Sequence, residues 1–399
     1  MKILAVCFVG ALGWWDGGHT LVAAVAKRLL EQGGASDVIA TVDNMLLREA
    51  SVWADYSSLP RVATWADKIK ETTSERCEGE TRCDGNGVFS NIHFVDQPIR
   101  LYGPDEQFEE ATWTSLQETL LHNVSYVNGY TTLNEAMKVV INPDGGVLDA
   151  NRGTLWSQDL AVRLITHLVG DLHQPLHGIA LFDPALCGAT DDTVPCTQND
   201  AGGNGIGLDW TNVKNYKAMA DSINLHGLWD SMCQYAQWDA TDLTLDQIDD
   251  EADKLIARFP TQFFKDKKVD LGWDWETGTE TVLHEDLLIA TSGRVEDQQI
   301  KFGENDHARL YPSTMLVSTP NSDGKKNLTL ALTDEYIDWC SELSQERVTL
   351  GGYRLAAVLK QIAVSRPDEL AFEPASASHA TSTVALTVLA LTMTTVAAL

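Results

Sequence analysis

Apolar residues along most of this chain fall three and four positions apart, the spacing that lines one face of a helix. Leu21, Val22, Val25, Leu29 and Leu30 form the first such face, which stops at Gly33 and Gly34. The same spacing predicts helices over roughly Leu116 to Val140, Leu155 to Leu172, Asn215 to Tyr235, Ile248 to Phe264, Thr281 to Val295 and Thr333 to Val364. Alternating strand patterns are scarce, and no repeat of fixed period occurs. The expectation is a mostly α protein with a single helical domain over residues 14–366. Between the helices, Thr72 to Asn91 and Phe182 to Gly207 read as cysteine- and glycine-bearing loops, and Asn321 to Asn327 as a polar turn with no chemistry.

The two ends break this pattern. Residues 1–13, Met-Lys followed by an apolar run with the small residues Ala11 and Gly13 at its end, read as a signal peptide whose removal leaves Trp14 first. Residues 367–383 form a linker of polar and small residues, and 384–399 an apolar tail with no basic cluster after it. The tail resembles a lipid-anchor (GPI) signal, with a membrane anchor or span as the alternative. Six cysteines remain after the signal, Cys77, Cys83, Cys187, Cys196, Cys233 and Cys340, and none is spaced as in a zinc ribbon. Short loops favour Cys77 with Cys83 and Cys187 with Cys196, leaving Cys233 for Cys340. Glycosylation sequons stand at Asn123 and Asn327. These features point to the secretory pathway and an extracellular or cell-surface location.

A net charge of −28 argues against a conventional nucleic-acid binder, which would carry a surplus of Lys and Arg. Bound divalent cations reverse that argument locally, because they can face a phosphate even on an acidic protein. The chain offers ligands for them. In His167-Leu-Val-Gly-Asp171-Leu-His173-Gln-Pro-Leu-His177, helical spacing puts His167 and Asp171 on one face, and Pro175 sends His177 off that axis. His226 and Asp230 repeat the four-residue spacing. One such pair is as often a surface ion pair. Two pairs with an added histidine, and no cysteine among them, point to catalytic zinc.

Several strings occur in a fixed order: Trp14-Trp-Asp-Gly-Gly-His19, Ala63-Thr-Trp-Ala-Asp67-Lys-Ile-Lys70, Ile92-His93-Phe94-Val-Asp96, His167 to His177, Gly202-Gly-Asn204 and Asn224-Leu-His226-Gly-Leu-Trp-Asp230. Together they resemble the zinc-dependent class I nucleases, the family of fungal single-strand nucleases and protozoan 3′-nucleotidase/nucleases. Gly351-Gly-Tyr-Arg-Leu-Ala356 resembles that family's final helix. The resemblance implies the helical fold shared with zinc phospholipase C and a site for three zinc ions. It assigns Asp67, His93, His167 and Asp171 to one ion. Asp171 bridges to a second ion held by His19 and by the amino group and carbonyl of Trp14, and His177, His226 and Asp230 hold the third. Trp-Ala-Asp occurs twice, and the family's basic residue three places on selects Asp67, followed by Lys70, over Asp55, followed by Ser58.

By the same resemblance Lys70 and Asn204 contact phosphate beside the catalytic Asp67, while Phe94 stacks on a base and Asp96 accepts from base nitrogens. The implied activity is hydrolysis of the P–O3′ bond in single-stranded DNA or RNA, leaving 5′-phosphates, and in 3′-nucleotides. The protein is expected to be a monomer, with the tail as its contact with membrane. A zinc-dependent phospholipase C and a non-catalytic surface zinc-binding protein are the alternatives. His122, His173, His284, His307 and His379 are read as structural.

Overall fold

The longest helix, α11 (Asp334–Ser365), runs through the middle of the fold, and α1 (Asp16–Gln32) packs along it. The structure, a computed structural model, describes residues 14–48, 54–69, 86–99, 127–141, 154–181, 199–217, 224–239, 241–292, 310–312, 315–320 and 326–366. The signal, the linker and tail, Lys70, Asn123, His122, His307, His379, Cys77, Cys83, Cys187 and Cys196 lie outside them. Within them the protein is mostly helical: α2 (Ser36–Leu47), α3 (Asn86–Asn91), α4 (Gly129–Val140), α5 (Leu155–Leu172), α6 (Pro175–Gly178), α7 (Leu225–Asp230), α8 (Leu245–Arg258), α9 (Thr261–Asp266) and α10 (Gly278–Ser292) are further helices, and residues 65–69 are helical too. No helix among the described residues is long and apolar enough to cross a membrane.

Leu21 and Val25 of α1, Leu168 of α5, and Val348 and Leu355 of α11 are fully buried in the larger of two apolar clusters. Each such side chain contributes roughly 1.5–3 kcal/mol. The close approach of α1 and α11 requires Gly352, since a Cβ there would lie 2.3 Å from Val25 Cγ1. A second cluster joins Leu228 and Trp229 of α7 to Leu330 and Tyr336. Two small sheets border it. β1 (Gln97–Ile99) pairs in parallel with β2 (Ile179–Leu181), Gln97 opposite Ile179. β5 (Lys326–Ala331) lies between β3 (Ile206–Asp209), in parallel, and β4 (Leu316–Pro320), antiparallel.

Of the helix expected over Asn215 to Tyr235, the described residues show α7 alone, and residues 218–223 lie outside them. Before it, the Asp334 carboxylate accepts the N–H groups of Lys214 and Asn215, both at 3.0 Å, and ties that segment to the start of α11. After it, Met232, Cys233 and Gln234 adopt φ of 53°, 50° and 79°, which no helix accommodates. A disulfide joins Cys233 to Cys340 of α11, with Cα atoms 5.8 Å apart. Pro260 splits the stretch from Ile248 to Phe264 into α8 and α9. Helix α2 is not among the expected helices, although Val38, Val42, Met45 and Leu46 repeat at helical spacing and are buried.

Two buried arginines of α11 brace the floor of the fold. Arg354 Nη2 donates to Glu285 Oε1 at 2.6 Å, and Arg347 donates to Glu285 Oε2 at 2.6 Å and to Asp286 Oδ1 at 2.8 Å. Burial alone would raise the Glu285 pKa, but Arg354 and Arg347 hold it below the ordinary value. Removing one partner leaves the others charged and dry. Glu285→Ala is therefore expected to cost about 3–5 kcal/mol in thermal or urea unfolding. Glu135→Ala, which breaks an exposed pair with Lys138, should barely move the midpoint.

Candidate metal centre

Helix α5 delivers His167 and Asp171 one turn apart, both fully buried. Its Thr154 N-cap starts the helix and the His173–Gln174 turn ends it. Pro175 then opens α6, because a proline at the first helical position loses no hydrogen bond. The new axis turns His177 so that its Nδ1 donates to His93 O at 2.7 Å. His167 Nδ1 likewise donates to Ala63 O at 2.6 Å. A carbonyl can only accept, so both rings in their neutral form present Nε2 as a lone pair.

Asp171 lies at the centre of a histidine ring. His93 Nδ1 is 2.9 Å and His167 Nε2 3.0 Å from its Oδ2, while His19 Nε2 is 3.3 Å and His177 Nδ1 3.4 Å from its Oδ1. His19 comes from α1 and stacks on His167 with ring centroids 3.9 Å apart. Gly170 makes room for it, since a Cβ there would lie 2.9 Å from His19 Nδ1. Asp67 joins the group, 3.6 Å from His93, 3.7 Å from His19 and 3.9 Å from His167. Asp55 stands exposed on a separate 3₁₀ turn.

His177, His226 and Asp230 form a neighbouring group. Asn224 caps α7 and so places His226 and Asp230 one turn apart, with His226 Nε2 3.3 Å from Asp230 Oδ2. His226 Nδ1 donates to Gly202 O at 2.6 Å. That carbonyl is presented by a left-handed turn in which Gly202 and Gly203 have φ of 60° and 87°. Glycine is required at 202, because a Cβ would meet Leu176 O at 2.4 Å.

These side chains fit cations. His177 Nε2 and His226 Nε2 both carry lone pairs in the neutral rings, yet they face each other at 3.2 Å. Two acceptors repel at that distance unless a positive charge joins them. His19 is wholly buried, and neither of its ring nitrogens makes a hydrogen bond. Burial and the neighbouring His167 lower its pKa, so it stays neutral and able to bind a metal. Burial also pulls on His167, but Asp171 and Asp67 outweigh it and lift the pKa to about 9. His167, His93 and His177 overcome the burial of Asp171 and hold it well below the carboxylate range. Imidazole and carboxylate donors without thiolate suit zinc. Three groups of such atoms, each within 4.8 Å, occur among the described residues.

The remaining sequence candidates among the described residues occupy varied positions. Trp14 is fully buried, its Nε1 donates to Gly170 O at 2.9 Å, and Trp15 N–H donates to Asp230 O at 2.9 Å. The start of domain packing thus lies against both histidine groups. Phe94 and Asp96 follow His93 and are partly exposed, and burial raises the pKa of Asp96. Asn204 Nδ2 donates to Ala201 O at 2.8 Å, with a second amide hydrogen remaining on that nitrogen. Asn327 is exposed on β5. His173 is buried between Val169 O at 2.6 Å and Arg354 at 3.1 Å, and His284 is exposed. Gln174, inside the His167–His177 string but not among the expected site residues, donates to Asp230 Oδ1 at 2.7 Å.

Residues 14–364 match the S1/P1 nuclease family. Nuclease S1 of Aspergillus oryzae is 25% identical over 357 residues, covering 88% of this chain and 92% of that protein. Endonuclease 1 of Arabidopsis thaliana is 22% identical over 379 residues, 91% of each chain. Endonuclease 3 of the same plant is 24% identical over 226 residues, 56% of this chain and 55% of its own.

In the metal-free protein the proton on His167 persists up to its pKa of about 9. A metal ion bound there would have to displace that proton, so its affinity should fall as pH falls below that value. Calorimetry near pH ~7.5 in buffers of differing ionisation enthalpy is expected to find about one proton released on account of this residue. The release should shrink in His167→Ala.

Proposed function

The chain belongs to the S1/P1 nuclease family, and on that premise we propose a zinc-dependent phosphoesterase that cleaves the P–O3′ bond of single-stranded DNA, RNA and 3′-nucleotides. The observation that carries this reading is the convergence of three buried His/Asp groups, two of which share His167. Asp67, His93, His167 and Asp171 would hold one ion, His19 and Trp14 with Asp171 a second, and His177, His226 and Asp230 a third. Bound zinc supplies the positive charge that activates water at neutral pH and stabilises the leaving oxygen.

The protein's own groups do the rest. Asp171 and Asp67 keep the centre anionic and the histidines oriented. The second Nδ2 hydrogen of Asn204 and the ammonium of Lys70 hold phosphate oxygens. Phe94 offers a stacking face and Asp96 an acceptor for base nitrogens. A free amino group at Trp14 has a pKa near ~8, low enough to coordinate, so removal of residues 1–13 precedes activity. Secretion, which the Cys233–Cys340 bond favours, supplies that cleavage. A monomer tethered at the surface through the tail completes the reading.

Rates on 3′-AMP, 5′-AMP, RNA, single-stranded DNA and phosphatidylcholine, measured on secreted protein, test it. Turnover of the nucleic acids and 3′-AMP, lost on chelation and restored by zinc, is expected. Rapid 5′-AMP hydrolysis would refute the bond polarity, dominant phosphatidylcholine hydrolysis would favour a phospholipase, and zinc without turnover a binding protein. Asn204→Ala should lower kcat by roughly 10²-fold, the usual cost of one lost transition-state donor.

A further inference from the structure

Gln174 is a fully buried amide that touches two of the elements that carry the histidines and carboxylates. Its Oε1 accepts the N–H of Leu176 at 2.6 Å, which caps the short helix α6 carrying His177. Its Nε2 donates to Asp230 Oδ1 at 2.7 Å. One planar group thereby fixes the turn that aims His177 and the rotation of the Asp230 carboxylate. With Oδ1 engaged, Oδ2 is the oxygen that faces His226 Nε2 at 3.3 Å.

We propose that Gln174 is a positioning residue for the ion bound by His177, His226 and Asp230, setting the affinity of that position and not of the paired one. The inference rests on the metal reading above. A carboxylate rotates easily about its last bond, and a short hydrogen bond to one oxygen removes that freedom. The amide is itself held in place. Gln174 N–H donates to Asp171 O at 2.9 Å, and the preceding His173 carbonyl accepts from Arg347 Nε at 3.2 Å. The buried arginine floor, the end of α5 and the Asp230 carboxylate are therefore joined in sequence through this residue. Partners of this kind typically change metal affinity by about 10–100-fold when removed.

Two variants separate positioning from capping. Gln174→Met removes both hydrogen bonds at similar length. Gln174→Glu retains an acceptor for Leu176 N–H but withdraws the donor from Asp230. Zinc affinities of the full, secreted chain are measured by competition with a chromophoric chelator, with circular dichroism to confirm the fold and His226→Ala as the reference. Both variants are expected to weaken one ion by about 10–100-fold, the same ion that His226→Ala loses, with the paired ions unchanged. Wild-type binding in Gln174→Glu would reduce the residue to a helix cap and overturn the proposal. Equal loss of every ion in Gln174→Met would overturn it too, as a fold effect. If His226→Ala itself keeps all its zinc, the metal reading fails and takes the inference with it.

Discussion

A carboxylate with no solvent exposure is costly by several kcal/mol unless charge or hydrogen-bond donors surround it, and Asp171 is such a group. Four histidines from four separate segments approach it: His19 from α1, His93 from the turn after α3, His167 from α5 and His177 from α6. That requirement explains why α1 must reach across to α5, and why Gly170 carries no side chain beside His19. It also explains why the chain must bend at Pro175. A straight continuation of α5 would carry His177 away from Asp171, and the second histidine group would lose its link to the first.

Around this centre the backbone acts as a second layer. Ala63, His93 and Gly202 each lend a carbonyl to a histidine Nδ1, which settles which ring nitrogen faces the interior. Those carbonyls are themselves held by local structure: a 3₁₀ turn at Arg61–Thr64, the turn after α3, and the left-handed Gly202–Gly203 turn. Below them, Arg347 and Arg354 tie α11 to α10 and to the end of α5, so the longest helix anchors the segment that carries most of the chemistry. The Cys233–Cys340 bond fastens the residues just after Asp230 to the same helix.

The surface and the centre carry opposite messages about substrate. At −28 the chain repels polyanions at long range. Cations held at the buried groups would present a compact positive charge to a single phosphate group without requiring a basic face. Phe94, Asp96 and Asn204, the residues proposed for recognition, are partly exposed.

The sequence by itself determined the helical class, because apolar spacing is a local property: α5 and α11 lie almost where the periodicity of Leu155–Leu172 and Thr333–Val364 puts them. It also exposed the His and Asp pairs one turn apart, since that spacing maps directly onto one helix face. It told less where remote groups intervene. Asn215 to Tyr235 has helical spacing, yet Asp334, more than a hundred residues away, captures the N–H groups of Asn215 and of Lys214 just before it, and a left-handed run follows α7. The parallel pairing of β3 with β5 has no local signature at all. Asp55 and Asp67 share Trp-Ala-Asp and differ three places on, at Ser58 and Lys70, and it is packing that buries Asp67 among histidines. Gln174 is an ordinary polar residue in the chain. It gains its place from the folded path that brings Asp230 within 2.7 Å, because a hydrogen bond between segments 56 residues apart depends on three-dimensional distance and not on residue type.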